Sequence, residues 1–106
     1  MSEYVFQEIE GYPGIAGNLE ISIKEDGEIF IGGDPQGLKS LATVLTWLSE
    51  VDQEKTNMPE GEREHVHLRP KSSAAEFREL TRFSVATEIC RLDARESGNF
   101  PEYYYK

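Results

Sequence analysis

Two histidines separated by one residue are the side chains whose type and spacing best suit metal chemistry. The segment Glu64-His65-Val66-His67-Leu68-Arg69 alternates polar and apolar residues, as a half-buried strand does. On such a strand His65 and His67 lie on one face, and Glu62 or Glu64 could add an oxygen ligand. A catalytic metal usually needs at least three protein ligands. We therefore expect no bound metal and no cofactor, and we keep metal binding by His65 and His67 as the weaker alternative.

Neither the cysteine nor the glycine pair predicts catalysis. Cys90, the single cysteine, lies in an alternating apolar segment without the helix N-terminus or glycine turn that would activate a thiol, so we expect a reduced, partly buried structural residue. The sequence Gly32-Gly33-Asp34-Pro35 lacks the lysine and hydroxyl residue of a phosphate-binding loop. It reads as a strand-to-helix turn. We expect no catalytic residues and no enzyme activity.

Trp47 is the strongest candidate for a binding residue. It lies about 160° around a helical wheel from the centre of an apolar stripe. That stripe consists of Leu38, Leu41, Ala42, Leu45 and Leu48. Either another part of this chain covers Trp47, namely the tyrosine tail or residues 4–9, or a partner protein does. The partner-binding hypothesis names Trp47, Glu50, Asp52, Glu54, Tyr103, Tyr104 and Tyr105.

The charge distribution favours a protein partner over a nucleic acid. The chain has a net charge of −9, and residues 1–62 alone carry thirteen acids and three bases. Binding to nucleic acid needs a basic patch, whereas an acidic half steers association with a cationic protein. No apolar run reaches the ~18–20 residues of a membrane span, and no signal peptide is recognisable, so we expect a cytoplasmic protein.

The elements that must position these residues follow from periodicity and punctuation. Alternation at Leu19–Ile23, the turn dipeptide Asp26-Gly27 and the run Ile29–Ile31 predict a β-hairpin. Asp34 and Pro35 predict the start of a helix that runs to residue 51 or 52. Leu41 and Leu45 are expected at the centre of its buried face.

Two further strands are expected in the second half of the chain. They cover residues 64–69 and 82–90, with a capped helical turn over residues 73–80 between them. We therefore predict a two-layer α+β domain in the order (β)ββαββ, in which a mainly antiparallel sheet of four to five strands packs on one principal helix. The 106 residues form one domain, with its core at about 18–93 and a tyrosine-rich tail at 94–106.

The central segment resembles the immunity protein 32 family of bacterial polymorphic toxin systems. The resemblance is carried by the run from Ile29 to Ala42 (IFIGGDPQGLKSLA), followed after a loop by the strand His65-Val66-His67-Leu68. Members pair a G-[DN]-x-x-G-L-x-x-L-A helix start with a later H-V-H-L strand. Residues 71–82 and the tyrosine tail depart from that pattern. The resemblance implies an α+β immunity protein that binds and neutralises a cognate toxin and has no catalytic residues.

The expected function is therefore stoichiometric inhibition of a basic toxin domain, for which a nuclease is the expected type. Two alternatives stay open: a small metal-binding protein or enzyme that uses His65 and His67, and a structural homodimer without a toxin partner.

Overall fold

A computed structural model describes residues 11–55 and 62–105. In chain order, their elements are strands β1 (Leu19–Ile23) and β2 (Ile29–Gly33), helix α1 (Pro35–Glu50), a 3-10 turn (Gln53–Lys55), strands β3 (His65–Leu68) and β4 (Thr87–Cys90), and a 3-10 turn (Glu102–Tyr105). This order confirms the α+β prediction. Within the described residues no helix is both long enough and apolar enough to cross a membrane.

The described strands form two antiparallel sheets of two strands each, one from β1 and β2 and the other from β3 and β4. The single sheet of four to five strands is not formed by these residues, and the possible strand at residues 4–9 lies outside them. Residues 80–85 connect the two sheets. Thr81 and Val85 donate backbone hydrogen bonds to β1, to Leu19 O at 2.9 Å and to Ile21 O at 2.8 Å. Leu80 exchanges backbone hydrogen bonds with the chain that follows β3.

Two segments of the second half differ from the sequence prediction. Residues 73–80 form turns and isolated bridges instead of a capped helical turn. The expected strand over residues 82–90 is shortened to β4, because residues 81–85 bond to β1 instead. The physical reason is that the edge of β1 offers backbone acceptors that local sequence cannot reveal.

Helix α1 begins as the sequence predicts, but it buries a different face. Its first turn is capped by Asp34, whose carboxylate accepts a hydrogen bond from Gly37 N, and Pro35 is the first helical residue. The buried helical residues are Gly37, Val44 and Leu48. Leu45 is 43% exposed, so the expectation that it lies at the centre of the buried face is wrong.

The core lies where β1, β3 and the connecting segment meet. Its buried cluster consists of Leu19, Ile21, Leu68 and Leu80, and the partly buried Ile15, Leu41 and Ile89 pack against it. Residues from both sheets contribute to this cluster. The inward face of β3 therefore packs against the core, which fixes the position of its outward face.

Candidate functional site

Strand β3 presents both histidines on one face, as the sequence predicts. Val66 and Leu68 are 2% and 0% exposed and pack inward. His65 and His67 alternate with them and are partly exposed. Their rings meet edge to face, with centroids 4.9 Å apart. The alternation of a strand thus places two imidazoles side by side at the protein surface.

The pairing of β3 with β4 adds a carboxylate that sequence analysis missed. In the antiparallel register Glu88 lies opposite His67, and Cys90 lies opposite His65. One potential ligand atom from each of His65, His67 and Glu88 lies within 4.8 Å of the others. Glu64, considered as a ligand from sequence, is buried at 5% exposure and is not part of this group. The signal that could have revealed Glu88 is the alternation of residues 82–90, which places Glu88 on the outward face of its strand.

The proton positions at this cluster follow from its contacts. His65 Nδ1 lies 3.1 Å from the carbonyl oxygen of Arg63. A carbonyl oxygen can only accept, so Nδ1–H donates and the neutral ring carries its free lone pair on Nε2. Burial lowers the pKa of His67, as do the charges of His65 and Arg69, whereas Glu88 opposes this shift. The lowered pKa favours the neutral form of His67, in which one ring nitrogen keeps a free lone pair.

Cys90 shares the face but has a different role. It is exposed, which corrects the expectation of a partly buried position, because it takes an outward position at the end of β4. Its Sγ lies 3.0 Å from the carbonyl oxygen of Arg91 and donates to it. Partial desolvation of the sulfur by its neighbours and, next, the charge of Glu88 raise the pKa of the thiol. The thiol form therefore dominates at neutral pH, which disfavours nucleophilic chemistry.

Trp47 is partly buried, and Tyr12 covers it. The two rings meet edge to face with centroids 5.2 Å apart, and Gly11 lies beside the indole nitrogen. The sequence suggested two segments of the chain that could cover Trp47, residues 4–9 and the tyrosine tail. Residues 4–9 lie outside the described residues, and Tyr12, which contacts Trp47, belongs to neither segment. An open groove beside Trp47 is lined by Gly11, Pro13, Ala42, Thr43, Thr46 and Glu50. Trp47 and Glu50 thus line the same groove.

Asp52 and Glu54, the two acidic residues that follow the helix, make contacts within the chain. The Asp52 carboxylate accepts a hydrogen bond from Glu54 N at 3.0 Å. The Glu54 carboxylate accepts one from Glu96 N at 2.7 Å and lies 3.9 Å from the Arg95 guanidinium. These contacts hold the segment after the helix against residues 95–96.

The tyrosine tail folds on itself. Tyr103, Tyr104 and Tyr105 are 66%, 52% and 67% exposed. Phe100 contacts the ring of Tyr104, and its backbone N–H donates to the hydroxyl of Tyr105 at 3.1 Å. The tail is therefore an exposed aromatic surface on its own turn.

The β1–β2 hairpin carries an exposed apolar surface that the sequence analysis did not single out. Ile23 pairs with Ile29 across the hairpin, and Ile31 follows on the same face. Their exposures are 60%, 64% and 52%. We call Ile23, Ile29 and Ile31 the hairpin patch. It shares the face on which Leu19 and Ile21 are buried, and Ile31 lies directly opposite Ile21.

Comparisons with known proteins do not identify the chain. Searches against protein-family models, curated proteins and solved structures find no significant match. The resemblance to the immunity protein 32 family therefore stays a prediction.

Proposed function

We propose that this protein works by binding a basic partner protein through the hairpin patch. On the family resemblance, the partner is a cognate bacterial toxin domain, which is neutralised stoichiometrically in the cytoplasm. The observation that carries the proposal is the set of three adjacent isoleucines, each more than half exposed. Fully burying such a side chain contributes about 1.5–3 kcal/mol. Docking this patch would therefore supply a substantial apolar contribution to binding.

The surroundings of the hairpin patch favour a cationic partner. The turn that joins its strands carries Glu25, Asp26 and Glu28, and Lys24 is paired with Glu28 at 3.0 Å. An apolar centre with a charged rim is the usual composition of a protein interface. The net charge of −9 adds long-range attraction to the same kind of partner. The two features together support a basic protein as the occupant.

The Trp47 groove is the competing surface of the same proposal. It combines an aromatic side chain with Glu50, but Tyr12 already covers part of the indole. Charge reversal at Asp52 or Glu54 would also break the contacts of the segment after the helix. Glu50 is therefore the suitable position for testing this surface, and Glu25 is its counterpart at the hairpin.

The first prediction concerns association with a basic toxin domain encoded beside this gene. Stopped-flow mixing with the full chain should give one-to-one binding whose rate falls as salt is added, because exposed charges are screened over ~8–10 Å. Glu25→Lys should slow association more than the matched variant Glu50→Lys, which changes the net charge by the same amount at the other surface. Ile29→Ser should speed dissociation about tenfold, which corresponds to about 1.4 kcal/mol at an interface anchor.

Other results would redirect or reject the proposal. If Glu50→Lys and Trp47→Ala alter the rates more than Glu25→Lys and Ile29→Ser do, the partner docks at the Trp47 groove. Sedimentation of the chain alone as a dimer that Ile29→Ser dissociates would assign the hairpin patch to self-association. Absence of binding to the neighbouring toxin domain would reject neutralisation.

A further inference from the structure

The outward face of β3 and β4 carries three side chains that could bind a metal ion, and none of them belongs to the hairpin patch. We infer that His65, His67 and Glu88 form a site for a divalent transition-metal ion of the zinc class. The sequence-based expectation of no metal rested on two ligands, because local spacing revealed no third. The antiparallel register supplies that third ligand by placing Glu88 opposite His67.

The donor set suits zinc and similar ions. Two imidazole nitrogens and one carboxylate oxygen are a known combination for catalytic zinc, which keeps its fourth position for water. Metal–ligand bonds of about 2.0–2.2 Å bring ligand atoms about 3.4 Å apart in a tetrahedral site. The three side chains here offer ligand atoms within 4.8 Å of one another, so metal binding requires side-chain rotation to bring these atoms closer.

The hydrogen bond of His65 Nδ1 independently supports a metal site. Histidine ligands almost always donate their other ring N–H to a carbonyl or carboxylate, which fixes the tautomer and orients the ring. The 3.1 Å contact between His65 Nδ1 and the Arg63 carbonyl oxygen is this arrangement. It leaves Nε2 as the metal-binding nitrogen before any ion arrives, which reduces the ordering cost of binding.

Arg69 and Cys90 lie near the three proposed ligands but are not ligands themselves. Arg69 follows the strand and acts electrostatically on His67, which opposes the binding of a cation, while Glu88 favours it. Cys90 lies opposite His65, but its thiol donates a hydrogen bond to the Arg91 carbonyl oxygen, and its sulfur is not among the clustered ligand atoms. Cys90 is therefore a matched control on the same face.

Zinc titration of the full chain without a histidine tag tests the site. Competition with a zinc-indicator dye should show one saturable zinc ion per chain. His67→Ala and Glu88→Gln should each weaken it at least about tenfold, as expected when a metal loses one of three ligands. Cys90→Ser and the distant carboxylate variant Glu102→Gln should stay within twofold of the parent. Circular dichroism melts of each metal-free variant check that it folds.

The visible absorption of bound Co²⁺ reports the coordination geometry of the site. Added Co²⁺ should produce the intense visible absorption of a tetrahedral ion in the parent and in Cys90→Ser, and His67→Ala should lose it. Absence of saturable zinc binding in the parent would overturn the site, as would parent-like affinity in both His67→Ala and Glu88→Gln. Because no partner protein enters these measurements, their failure is separate from failure of the docking proposal.

Discussion

At the scale of single residues, Asp34 shows how one carboxylate fixes the start of a helix. Its Oδ1 accepts hydrogen bonds from Gly37 N at 2.7 Å and from Asn18 N at 3.1 Å, and its Oδ2 accepts one from the Asn18 side chain at 2.9 Å. The cap therefore also ties the helix to the chain that enters β1. These donors, Gly37 N–H first, lower the pKa of Asp34 below its ordinary value.

The second prediction is an acid-dependent loss of stability through Asp34. A depressed pKa means that the unfolded state binds the proton more tightly, so the stabilisation is complete above the unfolded value of 3.8. It is lost as the pH falls through the lower pKa of the folded state. Asp34→Asn keeps a good N-cap but cannot titrate, so it should flatten this part of the curve. Urea unfolding of both chains between pH 2 and 6 measures the difference; superimposable curve shapes would contradict it.

At the scale of elements, the phase of α1 decides which leucines stabilise the fold. Gly37, Val44 and Leu48 are buried, and Leu41 packs partly against the core. These positions recur at intervals of three and four residues and define one stripe. Leu45 lies about 80° around the helix from Gly37, toward the edge of that stripe. At the start of the helix Gly37 lies directly against the Asn18 carbonyl, where an added Cβ would overlap that oxygen.

The third prediction compares two leucines of the same helix. Leu48 is 4% exposed and Leu45 is 43% exposed. Leu48→Ala should lower the free energy of unfolding by about 2–5 kcal/mol, because it leaves a cavity in the core. Leu45→Ala should cost less than about 1 kcal/mol, since its side chain already meets water. Chemical denaturation measures both; equal losses would show that the helix has a different buried face.

At the scale of the whole molecule, Arg91 joins parts of the chain that are distant in sequence. Its guanidinium donates to the Val51 carbonyl oxygen at 2.7 Å and to that of Leu48 at 3.3 Å, and it pairs with Asp93 at 2.5 Å. The carbonyl groups at a helix C-terminus have no partners within the helix. Arg91 therefore satisfies the end of α1 from the residue directly after β4 and links the helix to the second sheet.

The fourth prediction is that this link needs a guanidinium. Arg91→Met should destabilise the protein by about 2–4 kcal/mol, because it leaves carbonyl oxygens and the Asp93 carboxylate without a charged donor. Arg91→Lys should recover only part of the loss, since an ammonium cannot bond all three acceptors in one plane. Thermal and urea unfolding give the values. Full recovery by lysine would show that charge alone matters here.

Several local features were determined by the sequence alone. Asp26-Gly27 requires a turn, and Gly27 adopts a φ of +92° that glycine tolerates. Asp34-Pro35 starts a helix because one residue caps free amides and the next needs no amide partner. Alternation in β3 places both histidines on one face. Each of these outcomes depends on contacts within a few residues, so periodicity and residue type suffice to predict it.

The tertiary structure decided which of these residues meet. The register that sets Glu88 opposite His67 depends on pairing between strands far apart in the chain. Ile29 and Ile31 have the residue type and spacing of core positions, yet they are exposed, although Ile31 lies directly opposite the buried Ile21 across the hairpin. Burial and cross-strand pairing depend on the elements that pack nearby, so the same apolar residue is core in β1 and surface in β2. Both the ligand cluster and the hairpin patch were therefore decided only when the chain folded.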